Sequence, residues 1–189
     1  MKKLTIGHIV FILGAVFILY GAYIPVKAKV AQYLIHQSWN ESRSSGEDVK
    51  PWDWADMHPV MQLSFAKYQQ ELIVLEGDTG NVLAFGPGHN LQSGLPGQDR
   101  TIMISGHRDT HFEFLKDVVI GDQFEVNLRE ENQPFKYQIE NIKIINSDTQ
   151  DIEINEEENQ IKLITCYPFD SAVSGGPLRY VLTAKKVKK

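Results

Sequence analysis

Gln123-Phe124-Glu125-Val126-Asn127-Leu128 alternates polar with apolar side chains, and from Phe135 to Ile145 the same period returns. A period of two puts every second side chain on one face of an extended chain, so both runs predict half-buried β-strands. Working outward, Leu72 to Glu76, Val82 to Phe85, Thr101 to Ser105, Ile161 to Cys166 and Arg179 to Ala184 complete the set, with Gly and Pro clusters between them. Many short strands punctuated by turns predict an all-β domain, a barrel or a sandwich. No internal repeat is visible, and the acidic stretch from Asp148 to Glu158 reads as a solvated connection.

Ahead of the strands the pattern is different. Leu4 to Ile24 contains no charge apart from a protonatable His8, and as a helix its length would reach about 31 Å, enough for a bilayer core. Lys2 and Lys3 precede it, and Tyr20 and Tyr23 lie at its far end, as suits a membrane interface. A cleaved signal is the competing reading, with Val26-Lys27-Ala28 as its processing site, but the apolar run exceeds the usual length of such signals. Val26, Val30, Tyr33 and Leu34 then recur at helical spacing, predicting a juxtamembrane helix to about Trp39. Asn40 to Lys50, rich in Ser, Gly and charge, reads as a linker. The expected organisation is an anchor over residues 1–25, a helix and linker over 26–50, and a catalytic domain over 51–189.

The chain has 189 residues, 42% of them hydrophobic and 23% charged, which is ordinary for a globular domain and excludes disorder as a class. From Pro25 onward 17 Lys and Arg stand against 24 Asp and Glu. That acidic balance disfavours nucleic acid as a partner.

Cys166 is the one cysteine, so no intrachain disulfide can use it, and its remaining roles are a small buried side chain or a nucleophile. It sits at the end of a predicted strand in Thr165-Cys166-Tyr167-Pro168-Phe169. If that strand pairs antiparallel with the one opening at Arg179, the loop between them brings Cys166 and Arg179 to one rim of the sheet. His107 follows another apolar strand, after a Gly106 that permits a turn conformation. Thr110 to Glu113 has the spacing of a capping box and predicts a short helix from His111 to about Asp117. A metal pair of His107 and His111 is disfavoured, because Gly106 argues against a helix through His107 and the Glu of a zinc-protease motif is missing.

Gly106-His107-Arg108-Asp109-Thr110, Thr165-Cys166-Tyr167-Pro168-Phe169 and Arg179 thirteen positions later together resemble sortases. Pro51-Trp52-Asp53-Trp54-Ala55-Asp56, Val74-Leu75-Glu76-Gly77, Ala84-Phe85-Gly86-Pro87-Gly88-His89 and Gly175-Gly176-Pro177-Leu178 are similar to the class D and Gram-negative-type subgroup. The resemblance implies a sortase-like eight-stranded β-barrel with short helices, preceded by one transmembrane helix, in the cell membrane with its catalytic domain outside the cytoplasm. It also implies a cysteine transpeptidase that cleaves an LPxTG-like sorting signal after Thr and passes the acyl group to an amine.

In that chemistry the Cys166 thiolate attacks an acyl carbon to give a thioester. His107 protonates the departing amine and deprotonates the incoming one, and Arg179 holds the substrate carbonyl or the developing oxyanion. All three are expected to converge on a pocket at the barrel's open end, with Val173 and Leu178 lining a groove for the Leu-Pro part of the signal. Thr165 would assist by hydrogen bonding, and His89 has no role that the residues reveal. No cofactor and no metal are expected. The partners are a protein bearing the sorting signal, an amine acceptor and the membrane. Two other readings remain: a cysteine protease whose acyl-enzyme goes to water, and an inactive membrane-tethered binding module.

Overall fold

The alternating runs close on themselves into a barrel. In the computed structural model, which describes residues 5–171 and 175–187, the long helix α1 spans Ile6–Ser45. It is followed by β1 (Pro59–Phe65), β2 (Gln70–Glu76), the single-turn α2 (Gly80–Leu83), β3 (Gly88–His89) and β4 (Ile102–Ser105). Then come β5 (Gln123–Leu128), β6 (Phe135–Asn146), β7 (Gln160–Cys166) and β8 (Leu178–Lys186). Their order around the barrel is β1-β2-β3-β4-β7-β8-β6-β5, and β5 pairs with β1 to close it. Closure leaves no continuous sheet edge open to another chain. Six of the eight pairings are antiparallel, while β2–β3 and β4–β7 are parallel.

Alternation decides what fills the interior. Met61, Leu63 and Phe65 of β1, Phe124 and Val126 of β5, Tyr137 and Ile139 of β6, and Ile161 and Leu163 of β7 point inward and are buried together. Phe65 stacks on Phe124 at 4.4 Å, and Phe124 on Tyr137 at 5.8 Å, the offset geometry that aromatic quadrupoles favour. The predicted strands over Gln123–Leu128 and Phe135–Ile145 are both present, the second longer by one residue.

Two segments differ from the sequence reading. Pro59–Phe65 is a strand that was not predicted, although its side chains alternate buried and half-buried along its length; Pro59 at its first position breaks no ladder bond inside it. Val82 to Phe85, predicted as a strand, instead begins within the helical turn α2, and buried Val82 packs between α1 and the barrel. Four apolar-rich residues are too few for periodicity to separate helix from strand.

Helix α1 is continuous past Trp39, so the membrane-length apolar stretch and the juxtamembrane helix are one element. Its far half packs on the outer face of β2: Ile35 and Trp39 are buried against Ile73, Leu75 and Met57. Gly46, at φ 77°, ends the helix in a left-handed conformation that costs glycine little, and its N–H bonds Ser42 O at 3.0 Å. The chain then folds back, with Ser38 Oγ donating to Val49 O at 2.6 Å and Val49 N–H to Ser42 Oγ at 3.0 Å. Residues 46–50 are therefore pinned to the helix rather than a free tether.

His89 proves to be structural. It is 5% exposed, its Nε2 lies 2.9 Å from Gly94 O, and Ser93 Oγ is 3.2 Å from the same nitrogen. Burial pushes its pKa below the ordinary histidine value, so the folded state holds it neutral. The unfolded chain takes up that proton first as pH falls, so the stabilisation is complete above about pH 6.5 and is lost below it. Urea midpoints at pH 7.5 and 5.5 should drop for the native chain and drop less for His89→Gln. Equal drops would remove His89 from this account.

Candidate active site

Register pairs two of the three residues singled out in the sequence, and a loop contact holds the segment that carries the third. Cys166 is the last residue of β7, and its cross-strand partner in β8 is Arg179. Directly opposed residues share a face, with Cβ atoms about 5 Å apart. On the other side of β7, the parallel pairing with β4 runs from Ile102↔Ile161 to Ser105↔Ile164. It continues beyond the strand: Gly106 N–H donates to Ile164 O at 3.0 Å, and buried Thr165 donates from Oγ1 to Gly106 O at 2.7 Å. His107 is the residue after Gly106, and Cys166 the residue after Thr165. Thr165 thus acts as a spacer between the segments that carry the imidazole and the thiol.

The site faces outward rather than into the mouth of the barrel. Along β7, Ile161 and Leu163 point to the interior, whereas Ile164 joins Ile145 and Val181 in a separate cluster on the outer face. Cys166 lies two residues from Ile164, and Arg179 two from Val181, so both stand on that outer face. The expected pocket at the open end is therefore corrected to an outer surface near the strand ends. Its reason is parity: Thr165 takes the inward position. Cys166 is half-buried and His107 exposed, which leaves both open to a substrate.

The acidic segment from Asp148 to Glu158 is not a freely solvated connection. Ile152 packs on the Ile145–Ile164–Val181 cluster, Thr101 N–H donates to Asn155 O at 2.8 Å, and Lys162 Nζ donates to Glu153 O at 2.6 Å. Burial under this segment pushes the Lys162 pKa down. Through Ile152 the segment covers part of the outer face formed by Ile145, Ile164 and Val181. Half-buried Leu178 begins β8 close by, while Val173 lies outside the described residues.

Arg179 holds its guanidinium on its own loop: Nη1 donates to Gly176 O at 2.6 Å and to Leu178 O at 3.0 Å. Beside it, Tyr167, Phe169 and Tyr180 form an aromatic group with centroids 5.1 to 6.4 Å apart. Phe169 and Tyr180 also touch the main core, so the loop after Cys166 is seated on the barrel.

Arg108 carries a role that the sequence reading left out. It is buried, and its Nη2 donates to Ser171 O at 3.0 Å, tying the histidine loop to the cysteine loop. A charged side chain beside His107 in an otherwise polar run offered no signal of burial. The predicted capping box is also absent. Glu113–Asp117 is a 3-10 turn without a side-chain cap, and the chain ahead of it is held by Phe112 N–H to His107 O at 2.9 Å. Half-buried His111 is held below the ordinary histidine pKa, first by burial and then by the neighbouring His107. Among the described residues no group of three or more His, Cys, Asp or Glu is placed to hold a metal ion.

Gly106 is required for space, not for an unusual φ. A Cβ there would lie 2.7 to 2.9 Å from ring atoms of Phe112, which is fully buried and cannot retreat. Gly106→Ala should therefore cost about 1–3 kcal/mol by overpacking and shift His107, the next residue. Thermal unfolding together with substrate turnover measured well below the melting point would check this. An unchanged melting temperature would refute the overpacking.

Residues 63–187 match the sortase domain family. Sortase D of Bacillus subtilis (strain 168) is 36% identical over 126 residues, 66% of this chain and 62% of that protein, so the match leaves over a third of that relative unspanned. Among solved structures, a sortase D5 transpeptidase of Clostridium perfringens superposes with TM-score 0.64 at 22% identity, covering 85% of this chain and 99% of the other. Sortase A of Corynebacterium diphtheriae does so with TM-score 0.62 at 22% identity, covering 90% and 89%.

Proposed function

The chain belongs to the sortase family, and on that premise we propose that it is a membrane-anchored cysteine transpeptidase with Cys166, His107 and Arg179 as its catalytic residues. The substrate is a protein carrying an LPxTG-like sorting signal. The Cys166 thiolate attacks the carbonyl of the signal's Thr, the bond to the following residue breaks, and the departing amine takes a proton from His107. An incoming amine then gives its proton to His107 and displaces sulfur as the thiolate, restoring the starting state. In this reading Arg179, the register partner of Cys166, leaves Gly176 O and donates to the oxyanion as charge develops there.

The observation that supports this reading is the register: Cys166 faces Arg179 across one strand pair, and the Thr165–Gly106 bond ties the residue before His107 to the residue before Cys166. The apolar half of α1 is long enough to cross a bilayer, which supports anchoring with residues 1–25 in the membrane and the catalytic domain outside the cytoplasm.

Incubation with an LPxTG-type peptide followed by mass spectrometry tests the whole reading. An acyl adduct on Cys166 that a primary amine discharges into an amide product is expected. Absence of any adduct would reject the nucleophile, and an adduct released only as free acid, whatever the amine concentration, would favour hydrolysis.

A further inference from the structure

Two cross-links join the segment that carries His107 to the one that carries Cys166. On the strand side, Thr165 Oγ1 donates to Gly106 O at 2.7 Å, and Gly106 N–H donates to Ile164 O at 3.0 Å. On the loop side, Arg108 Nη2 donates to Ser171 O at 3.0 Å. Following the chain from Cys166 to Ser171, across to Arg108, back through His107 to Gly106 and across to Thr165 closes a ring. The residues assigned to acyl and proton transfer both belong to it.

A stretch of backbone tied at one point can pivot about the tie, whereas a second tie on the other side of the same residue removes that rotation. His107 has Gly106 held on one side and Arg108 held on the other. The turn that follows is fixed as well, since Phe112 N–H donates to His107 O at 2.9 Å and Phe112 is fully buried. At the loop end, Phe169 packs edge-on against Tyr180 at 5.1 Å and touches the main core. Arg108 itself is 7% exposed, and a guanidinium taken out of water is held where its hydrogens find acceptors, so the side chain has little freedom to swing away. The second guanidinium, that of Arg179, holds Gly176 O near the opposite end of the same loop. In the proposed reaction Arg179 lets go of that carbonyl, and Arg108 is then the arginine that still holds the loop.

We propose that Arg108 is a positioning residue: through Ser171 O it keeps the segment bearing the His107 imidazole and the loop after Cys166 in one mutual orientation, so that the departing amine meets the acid that protonates it. The proposal rests on the reading of His107 as that acid. Arg108 takes no proton itself and acts through geometry alone.

The test compares two substrates that differ only in the group leaving the Thr carbonyl. In an LPxTG-type peptide the C–N bond breaks as Cys166 sulfur bonds to the carbonyl carbon, and the nitrogen must gain a proton. In its thioester analogue the C–S bond breaks and sulfur leaves as a thiolate, with no proton required. Single-turnover acylation is measured with enzyme in excess, well below the melting temperature, for the native chain, Arg108→Met, Arg108→Lys and His107→Ala. Taking the ratio of the two rates cancels whatever fraction of Cys166 is thiolate.

Arg108→Met is expected to slow the amide about 10- to 100-fold, the size of effect that a misplaced acid produces, and the thioester less than about threefold. Arg108→Lys, which keeps a donor for Ser171 O, should recover part of the amide-to-thioester ratio. A merely structural role would slow both substrates together, so an unchanged ratio in Arg108→Met overturns the proposal. A lysine variant no better than the methionine variant also overturns it, as does failure of both to fold, which would make Arg108 a core residue. His107→Ala separates the two levels of the reading. If that variant keeps the native ratio, His107 is not the acid, and the reading of the reaction fails together with the proposal. If it lowers the ratio while the Arg108 variants do not, only the proposal falls.

Discussion

Cys166→Ala should yield no acyl adduct and no transfer product, with turnover down on the order of 10⁴-fold or more, while the fold persists. Loss of the nucleophile removes the covalent step altogether, and what remains is binding and oxyanion stabilisation without a bond to form. Stability should hardly change. The side chain is half-buried, at a strand end on the outer face, and trading its sulfur for a hydrogen leaves no enclosed cavity. The melting temperature is thus expected within a few degrees of the native value. Residual adduct on the variant would show that another group carries the acyl chain, and a collapsed melting curve would make Cys166 a core residue instead.

Arg179→Ala should lower kcat by about 10²–10³-fold, the cost typical of losing one oxyanion donor. Reaction of Cys166 with a small alkylating agent should persist, because no oxyanion forms in that reaction. Arg179→Lys is not expected to restore the rate: a single ammonium cannot reproduce the planar fork that lets a guanidinium hold two acceptors in fixed geometry. At rest Nη1 is already engaged by Gly176 O and Leu178 O, so substrate must compete for it. A signal peptide that reshapes the loop ahead of Arg179 would release the guanidinium at the moment it is needed. Full activity in the lysine variant would reduce Arg179 to a source of positive charge.

The strands that read clearly in the sequence are those with one face inside and one outside, such as Gln123–Leu128. Cys166 and Arg179 could be matched because both stand at the ends of adjacent runs, and antiparallel pairing converts sequence distance into register. His107 needed more. It follows β4, which pairs parallel with β7, and parallel partners leave no short-loop signature. Which face bears the site turns on a single residue of parity, and the sequence could not say whether Thr165 or Cys166 points inward. Arg108 and the segment around Ile152 were hidden for a related reason: both are polar or loop segments whose burial arises from distant parts of the chain. The close approach of Gly106 to Phe112 was misread as a need for turn freedom, since only packing reveals what a methyl group would strike.

One continuous helix, with Pro25 inside it, joins the apolar stretch to the buried anchor points Ile35 and Trp39, and residues 46–50 are stitched back onto it. With α1 as the proposed anchor, no slack tether separates the barrel from the bilayer, and the surface bearing Cys166 would stay within a narrow range of heights above it, meeting polypeptides that offer their cleavage point at that elevation. Selection among clients would then depend on the length of the spacer between their own anchor and the scissile bond, as well as on the letters of the signal.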